Sequence, residues 1–224
     1  MNQKAMGRLT LEKIEEYPTP TQLYKDLMLS PGWHYKTDTQ RFLMRDRALA
    51  ALLYLGDFRI SEVLPLTRNQ FSQHADFIHV KSVLVGKRKA GTVQYREAKL
   101  PLQGERAVFT KLILDYLDLL KPEDRLFPFS LAKRKYPVKN SFYITKDGTK
   151  KTRMSFQMMG TKRAYQIVKA LLPNYTQHWL RAFGYDYDYD HMAHDILAVS
   201  DKTKADPRSL QPYLRRRYEK YSVR

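Results

Sequence analysis

The stretch Gly56-Asp57-Phe58-Arg59-Ile60-Ser61-Glu62-Val63-Leu64-Pro65-Leu66 decides how this chain is read. It places an arginine directly after a helix break, inside an apolar setting. Upstream, Phe42, Leu43, Leu49, Leu52, Leu53 and Leu55 recur at helical spacing, which predicts a helix over Thr39–Leu55 stopped by Gly56. Downstream, Ile60, Val63 and Leu64 give the inward face of a second helix, predicted from Arg59 to Leu66. A buried arginine needs a partner, and Glu62 sits one helical turn on. Taken alone, the string is compatible with a structural ion pair and with a functional arginine.

Working outward, Phe77–Val85 and Thr92–Leu102 are rich in β-branched residues and flank Gly86-Lys87-Arg88-Lys89-Ala90-Gly91. This reads as a β-hairpin with a basic tip. Gly104–Leu120 is an amphipathic helix ended by Lys121-Pro122, and Thr161–Leu172 another, ended by Pro173. Phe142–Met154 holds a second hairpin around the turn Asp147-Gly148. Thr176 caps a helix carrying His178 and Arg181, which share one face at a spacing of three. Asp190–Val199 reads as a further helix, and Asp206-Pro207 as an N-cap with proline at the first helical position. Toward the amino terminus, Thr21–Leu29 reads as a short helix ended by Ser30-Pro31-Gly32. The acidic-aromatic run Tyr185-Asp186-Tyr187-Asp188-Tyr189-Asp190 reads as a protein contact or a solvated loop.

Composition narrows the function. The 224 residues, 43% of them apolar, suffice for one sizeable core in one or two domains. Lysine and arginine number 40 against 23 acids, a net charge of +17, which favours a polyanionic partner. Nucleic acid is the first expectation, with a ribosomal protein or a membrane-surface binder behind it. There is no cysteine, so disulfides, thiolate nucleophiles and cysteine zinc sites are excluded. Met1–Glu16 lacks the apolar core of a signal peptide, and no run approaches the ~20 apolar residues of a membrane span. The expectation is a soluble, cytoplasmic protein with no membrane partner. His191 and His194 with Asp190 and Asp195 have metal-compatible spacing, but no further ligands cluster with them, so no metal is expected. From Lys133 to Arg163 ten Lys or Arg face one acid, Asp147. That stretch reads as a surface tracking a phosphate backbone, through Lys133, Arg134, Lys135, Lys150, Lys151 and Arg153, or as a solvated loop.

Arg59, Lys87, the block His178-Trp179-Leu180-Arg181 and Tyr213, in this order, resemble the active-site signature of the tyrosine recombinase (phage integrase-type) family. The string around Arg59 resembles the family's first arginine box, an apolar helix and a glycine followed by Arg-Ile-Ser-Glu-Leu. Ala98-Lys99-Leu100-Pro101-Leu102 resembles the strand that closes the family's lysine hairpin. His178, Leu180 and Arg181 match the second box, while Ala182 stands where another histidine is usual. Nine residues before Tyr213, where the family has His or Trp, this chain has Lys204. Tyr213 is chosen over Tyr218 and Tyr221 by its interval of 32 residues from Arg181 and by the preceding Asp206-Pro207-Arg208-Ser209 helix start.

The resemblance, over Thr39–Tyr221, implies an α+β fold, mainly helical with a small antiparallel β-sheet. It divides the chain into an amino-terminal segment, 1–38, and a catalytic domain, 39–224. It implies a site-specific recombinase or integrase that cuts and rejoins DNA through a 3′-phosphotyrosine, without metal, cofactor or ATP. Tyr213 would be the nucleophile, and Arg59 and Arg181 the phosphate clamps. His178 would assist proton transfer, Lys87 (with Lys89 as runner-up) would protonate the leaving oxygen, and Lys204 would donate to a phosphate oxygen. Glu62 would orient the site, and Arg88 and Lys89 would add DNA contacts. Double-stranded DNA is the implied partner, a homotetramer on DNA the implied assembly, and the nucleoid the implied place of work, with a virus, plasmid or other mobile element among the sources. The departures at Ala182 and Lys204 keep open a recombinase-like DNA binder that does not cut. A type IB topoisomerase would share the chemistry, and a basic ribosome-associated protein would bind RNA without cleavage.

Overall fold

The computed structural model describes residues 17–36, 38–85, 94–128, 135–145, 147–156, 159–204, 206–208 and 210. Seven helices lie in these residues: α1 (Pro20–Leu29), α2 (Thr39–Leu55), α3 (Ile60–Val63), α4 (Ala107–Leu117), α5 (Thr161–Leu171), α6 (Gln177–His191) and α7 (Ile196–Thr203). Five strands accompany them: β1 (Phe71–Gln73), β2 (Phe77–Leu84), β3 (Tyr95–Pro101), β4 (Lys135–Ile144) and β5 (Lys150–Phe156). The expected class, mainly helical α+β with a small antiparallel sheet, describes this architecture.

Helix α2 is the centre. From Ala48 to Leu55 every residue is buried, so the helix is apolar on all sides and is surrounded rather than laid on a surface. Helices α4, α5 and α6 pack round it. Helix α5 shows the complementary pattern. Its Ala164, Ile167, Val168 and Leu171 are buried, and Lys162 and Tyr165 are left outside. Helix α1 adds Leu23 and Leu27 to the same core.

The sheet runs β1-β2-β3, antiparallel throughout. Val80 pairs with Ala98, and the register shifts before Val83, which pairs with Arg96. The short strand β1 escaped the sequence reading because three residues carry no periodicity. The second hairpin pairs Lys135 with Phe156 and Ile144 with Lys150, beginning earlier in the chain than the predicted Phe142.

Two further expectations need correction. The helix expected from Arg59 to Leu66 is shorter, Ile60–Val63, with Pro65 just beyond it. The Tyr185–Asp190 run is neither a loop nor an exposed contact. It continues α6 to His191, and Tyr185, Asp186, Asp188 and Tyr189 are buried. Asp188 tolerates this because Arg106 Nη1 donates to its Oδ1 at 2.8 Å and Lys202 pairs with its Oδ2. The helix predicted from Asp190 to Val199 is accordingly two pieces, the end of α6 and α7, with positive φ at Ala193 and His194 in the turn between them. Asp195 caps α7, accepting from the amides of Leu197 and Ala198. A separate small core, Tyr185, Tyr189, Val199 and Leu210, holds α7 and Leu210 against α6. Among the described residues no helix is long and apolar enough to cross a membrane, and no group of three or more His, Asp or Glu is placed to hold a metal.

Candidate active site

The turn from α2 into α3, the first turns of α5 and the start of α6 enclose a cleft of about 570 Å³. Arg59, Ser61, Lys162, Tyr165, His178 and Arg181 line it. The two arginines, far apart in sequence, thus open into one space.

Glu62 fixes the first. Its carboxylate is fully buried, and it accepts from Arg59 Nη1 at 2.9 Å and from the Arg59 amide at 3.0 Å. This is a capping-box geometry in which the cap residue is an arginine. The Arg59 side chain keeps 29% exposure, so the guanidinium is held through Nη1 while the rest of it opens toward the cleft. Glu62 also accepts from Arg96 Nη2 at 3.0 Å. Arg96, buried, donates further to the carbonyls of Gly56 (3.0 Å) and Asp57 (3.1 Å), and its guanidinium lies 4.3 Å from the Phe58 ring centroid. It ties strand β3 to the arginine turn. Sequence reasoning missed it. The available signal was its inward register on β3, where Arg96 and Leu100 are the buried positions.

Arg181 is held from the other side. Its Nε donates to the Asp57 carbonyl at 2.7 Å, and its guanidinium carbon lies 4.9 Å from the Tyr185 ring centroid. Among the described residues no other protein acceptor bonds to it. Burial lowers the Arg181 pKa and the like charge of Arg59 pushes the same way, against the pull of Tyr185, Glu62 and Asp57. Two like-charged guanidiniums, that of Arg181 largely desolvated, are relieved by an anion between them, and a phosphate presents oxygens in the geometry their N–H forks match. Burial also raises the Tyr185 phenol well above the ordinary tyrosine range, keeping it neutral. His178 is exposed on the same wall, one turn before Arg181.

Asp57 lies behind both arginines. It adopts φ +51°, a left-handed conformation uncommon outside glycine, and its side chain is buried. Burial first, then the neighbouring Asp188 charge, raises its carboxyl to about 8. A glycine faces it: a Cβ added at Gly184 would come within 1.9 Å of Asp57 Oδ1 and 2.6 Å of the Tyr54 carbonyl oxygen.

Other expected site residues fall elsewhere. Lys204 does not line this cleft. It ends α7 with φ +51°, its Nζ bonds Asp201 Oδ1 at 2.6 Å, and it borders a second groove with Val85, Gln94 and Tyr95. Lys150 and Lys151 are exposed at the start of β5, and Lys150 Nζ lies 4.2 Å from the Phe142 ring centroid. Lys135 and Arg153 belong to the β4–β5 hairpin by their backbone. Tyr213, Lys87, Arg88, Lys89, Lys133 and Arg134 lie outside the described residues. Lys162, one more cation in the cleft, was not singled out from sequence because a lone lysine at a helix start is unremarkable.

No family model matches the chain, and no curated protein does. Solved structures do resemble it. The XerH site-specific recombinase bound to difH substrate in a pre-cleavage complex superposes with a TM-score of 0.53 at 18% identity, over 92% of this chain and 52% of that one. XerH bound to palindromic difH substrate in a post-cleavage complex gives 0.53 and 18%, over 95% of this chain and 54% of that one. The Tn1549 transposon integrase in complex with circular intermediate DNA scores 0.49 at 16% identity, over 90% and 61%. This chain therefore spans about half the length of the XerH chains. The XerH likeness is one of fold: mostly helical, with a three-stranded antiparallel sheet.

Proposed function

We propose that the chain is a tyrosine recombinase that breaks and rejoins DNA strands through a covalent phosphotyrosine. The observation that carries this reading is the convergence of Arg59, Arg181 and His178 on one cleft, with Glu62 and the Asp57 carbonyl fixing the guanidiniums. The fold shared with XerH supports it.

In this mechanism the scissile phosphate sits between Arg59 and Arg181, whose charges stabilise the pentacoordinate transition state. The Tyr213 oxygen attacks phosphorus, forming the Tyr–O–P bond as the bond to the 5′-oxygen breaks. His178 takes the phenolic proton of Tyr213 as the new bond forms, and Lys87 gives its proton to the departing 5′-oxygen. Rejoining is the reverse: a 5′-hydroxyl attacks phosphorus and Tyr213 leaves. The diester energy is kept in the protein–DNA bond, so ATP has no role. Lys162, exposed in the cleft, and Lys150 and Lys151 on the β4–β5 hairpin contact the flanking backbone of duplex DNA. Exchange between two duplexes requires several active sites, which a tetramer on DNA supplies. Such an enzyme works inside the cell, on nucleoid or mobile-element DNA.

The test is covalent trapping on nicked duplex substrates, read on a denaturing gel. A protein–DNA adduct that disappears in Tyr213→Phe, with duplex binding kept, is the expected result; no adduct from the unaltered protein refutes the enzymatic reading. One observation favours a second reading, a DNA binder that does not cut: Lys204 turns to Asp201 in another groove.

A further inference from the structure

The cleft rests on a buried acid pair that the chemistry above does not use. Neither carboxyl oxygen of Asp57 meets a hydrogen-bond donor among the described residues, although both are buried. The carboxyl lies within hydrogen-bonding reach of Asp188. Asp188 in turn holds Arg106 at 2.8 Å and Lys202. Two carboxyls in contact with no donor between them form a bond only when one carries a proton. Asp188 has two cations and Asp57 has none bonded to it, so the proton resides on Asp57. The groups facing Asp57 are Asp188, Arg181 and Tyr185 from α6, Tyr54 from α2, Arg106 just before α4, Lys202 from α7 and, at its carbonyl, Arg96 from β3. Gly184 makes the approach possible, since any side chain there would strike the carboxyl.

The main chain of the same residue faces the cleft. Its carbonyl accepts from Arg181 Nε at 2.7 Å and from Arg96 Nη2 at 3.1 Å. A residue in the left-handed region is strained unless its surroundings hold it there. A bond from a protonated Asp57 carboxyl to Asp188 would supply that hold. We propose that Asp57 is a positioning residue of the cleft: as a neutral acid it donates to Asp188, and this bond locks the turn whose carbonyl aims the Arg181 guanidinium. The same link joins Arg181 to α7 through Asp188 and Lys202. Ionisation of Asp57 breaks it by setting two negative charges against each other.

The inference rests on reading the cleft as a phosphate site, and it is tested first without DNA. Asparagine reproduces the neutral acid in shape and donates to Asp188, so Asp57→Asn keeps the lock and cannot ionise. An acid whose pKa is raised on folding binds its proton more tightly in the folded state. Stability therefore falls as pH rises from the unfolded value near 3.8 toward about 8, and is level beyond. The Tm of Asp57→Asn relative to the unaltered protein should climb across that window and then stop climbing. The Arg181 Nε–H resonance, assigned by its loss in Arg181→Lys, should move with pH over the upper part of the window in the unaltered protein and stay fixed in Asp57→Asn. Asp57→Ala should displace it at every pH and lower formation of the covalent adduct about tenfold or more, whereas Asp57→Asn retains it. A Tm difference independent of pH, or an Arg181 resonance indifferent to Asp57→Ala, overturns the proposal. Should the Asn variant not fold, carboxyl 13C shifts of the unaltered protein decide: one aspartate still protonated at neutral pH supports it, and every aspartate titrating in the ordinary range overturns it. Absence of the adduct from the unaltered protein counts against the proposed function and leaves these readouts standing.

Discussion

Replacing Glu62 tests how the arginine turn is held. Among the described residues the buried carboxylate accepts from the Arg59 amide, Arg59 Nη1 and Arg96 Nη2. Glu62→Ala leaves Arg96 buried with only two main-chain carbonyls and the face of Phe58. Breaking a buried ion pair from one side costs about 3–5 kcal/mol, because the surviving charge is uncompensated. For a chain of this size each kcal/mol lowers Tm by roughly 2–4 °C, so a fall of about 6–20 °C is expected. Glu62→Gln keeps one acceptor oxygen but turns a donor toward one guanidinium, and should lie between the two. Removing both partners, as Glu62→Ala with Arg96→Met, should recover part of the loss, since no stranded charge remains. Thermal unfolding by circular dichroism reads all three. A Glu62→Ala protein melting within about 2 °C of the parent, or a double variant whose loss equals the sum of its singles, would refute the shared-carboxylate argument.

Other outcomes follow from the same geometry. Gly184→Ala drives a methyl against Asp57 Oδ1 and the Tyr54 carbonyl, and should destabilise by about 1–3 kcal/mol in chemical unfolding. Arg181→Lys keeps the charge but loses the fork and the Nε bond to Asp57, and single-turnover adduct formation should drop by about 10²–10³. Lys204→Ala, remote from the cleft, should change that rate less than about twofold, whereas a large loss would place Lys204 in the chemistry. Lys162→Ala should flatten the salt dependence of duplex affinity by about one unit of slope, measured by fluorescence anisotropy.

Much of the fold was legible because it follows from local pattern. The leucine spacing of α2, the helix ended by Pro173 and the two strands β2 and β3 flanking the glycine-bounded basic stretch predict what is observed, while the basic tip itself lies outside the described residues. The Arg59–Glu62 pairing was legible too, being one helical turn long. What escaped depends on contacts between distant segments. Arg96 reads as an ordinary strand residue until β3 is laid against the α2–α3 turn. The Tyr185–Asp190 run reads as polar and exposed because nothing local announces that Arg106 and Lys202 will meet Asp188. Asp57 reads as a turn residue, and its burial depends on a glycine in another helix. Lys204 was reached by counting nine residues back from Tyr213, and a count along the chain does not say which groove the end of α7 borders.

The small cluster beneath α7 has a mechanical consequence. Tyr185, Tyr189, Val199 and Leu210 form a core separate from the one around α2, so among the described residues α7 is fastened by this small cluster and by the Lys202–Asp188 pair. An element fastened so lightly opens on its own well before the body melts. Its amides should exchange with deuterium fastest among the helices packed on α6, so the groove it borders with Val85 and Gln94 would change shape before the body around α2 does.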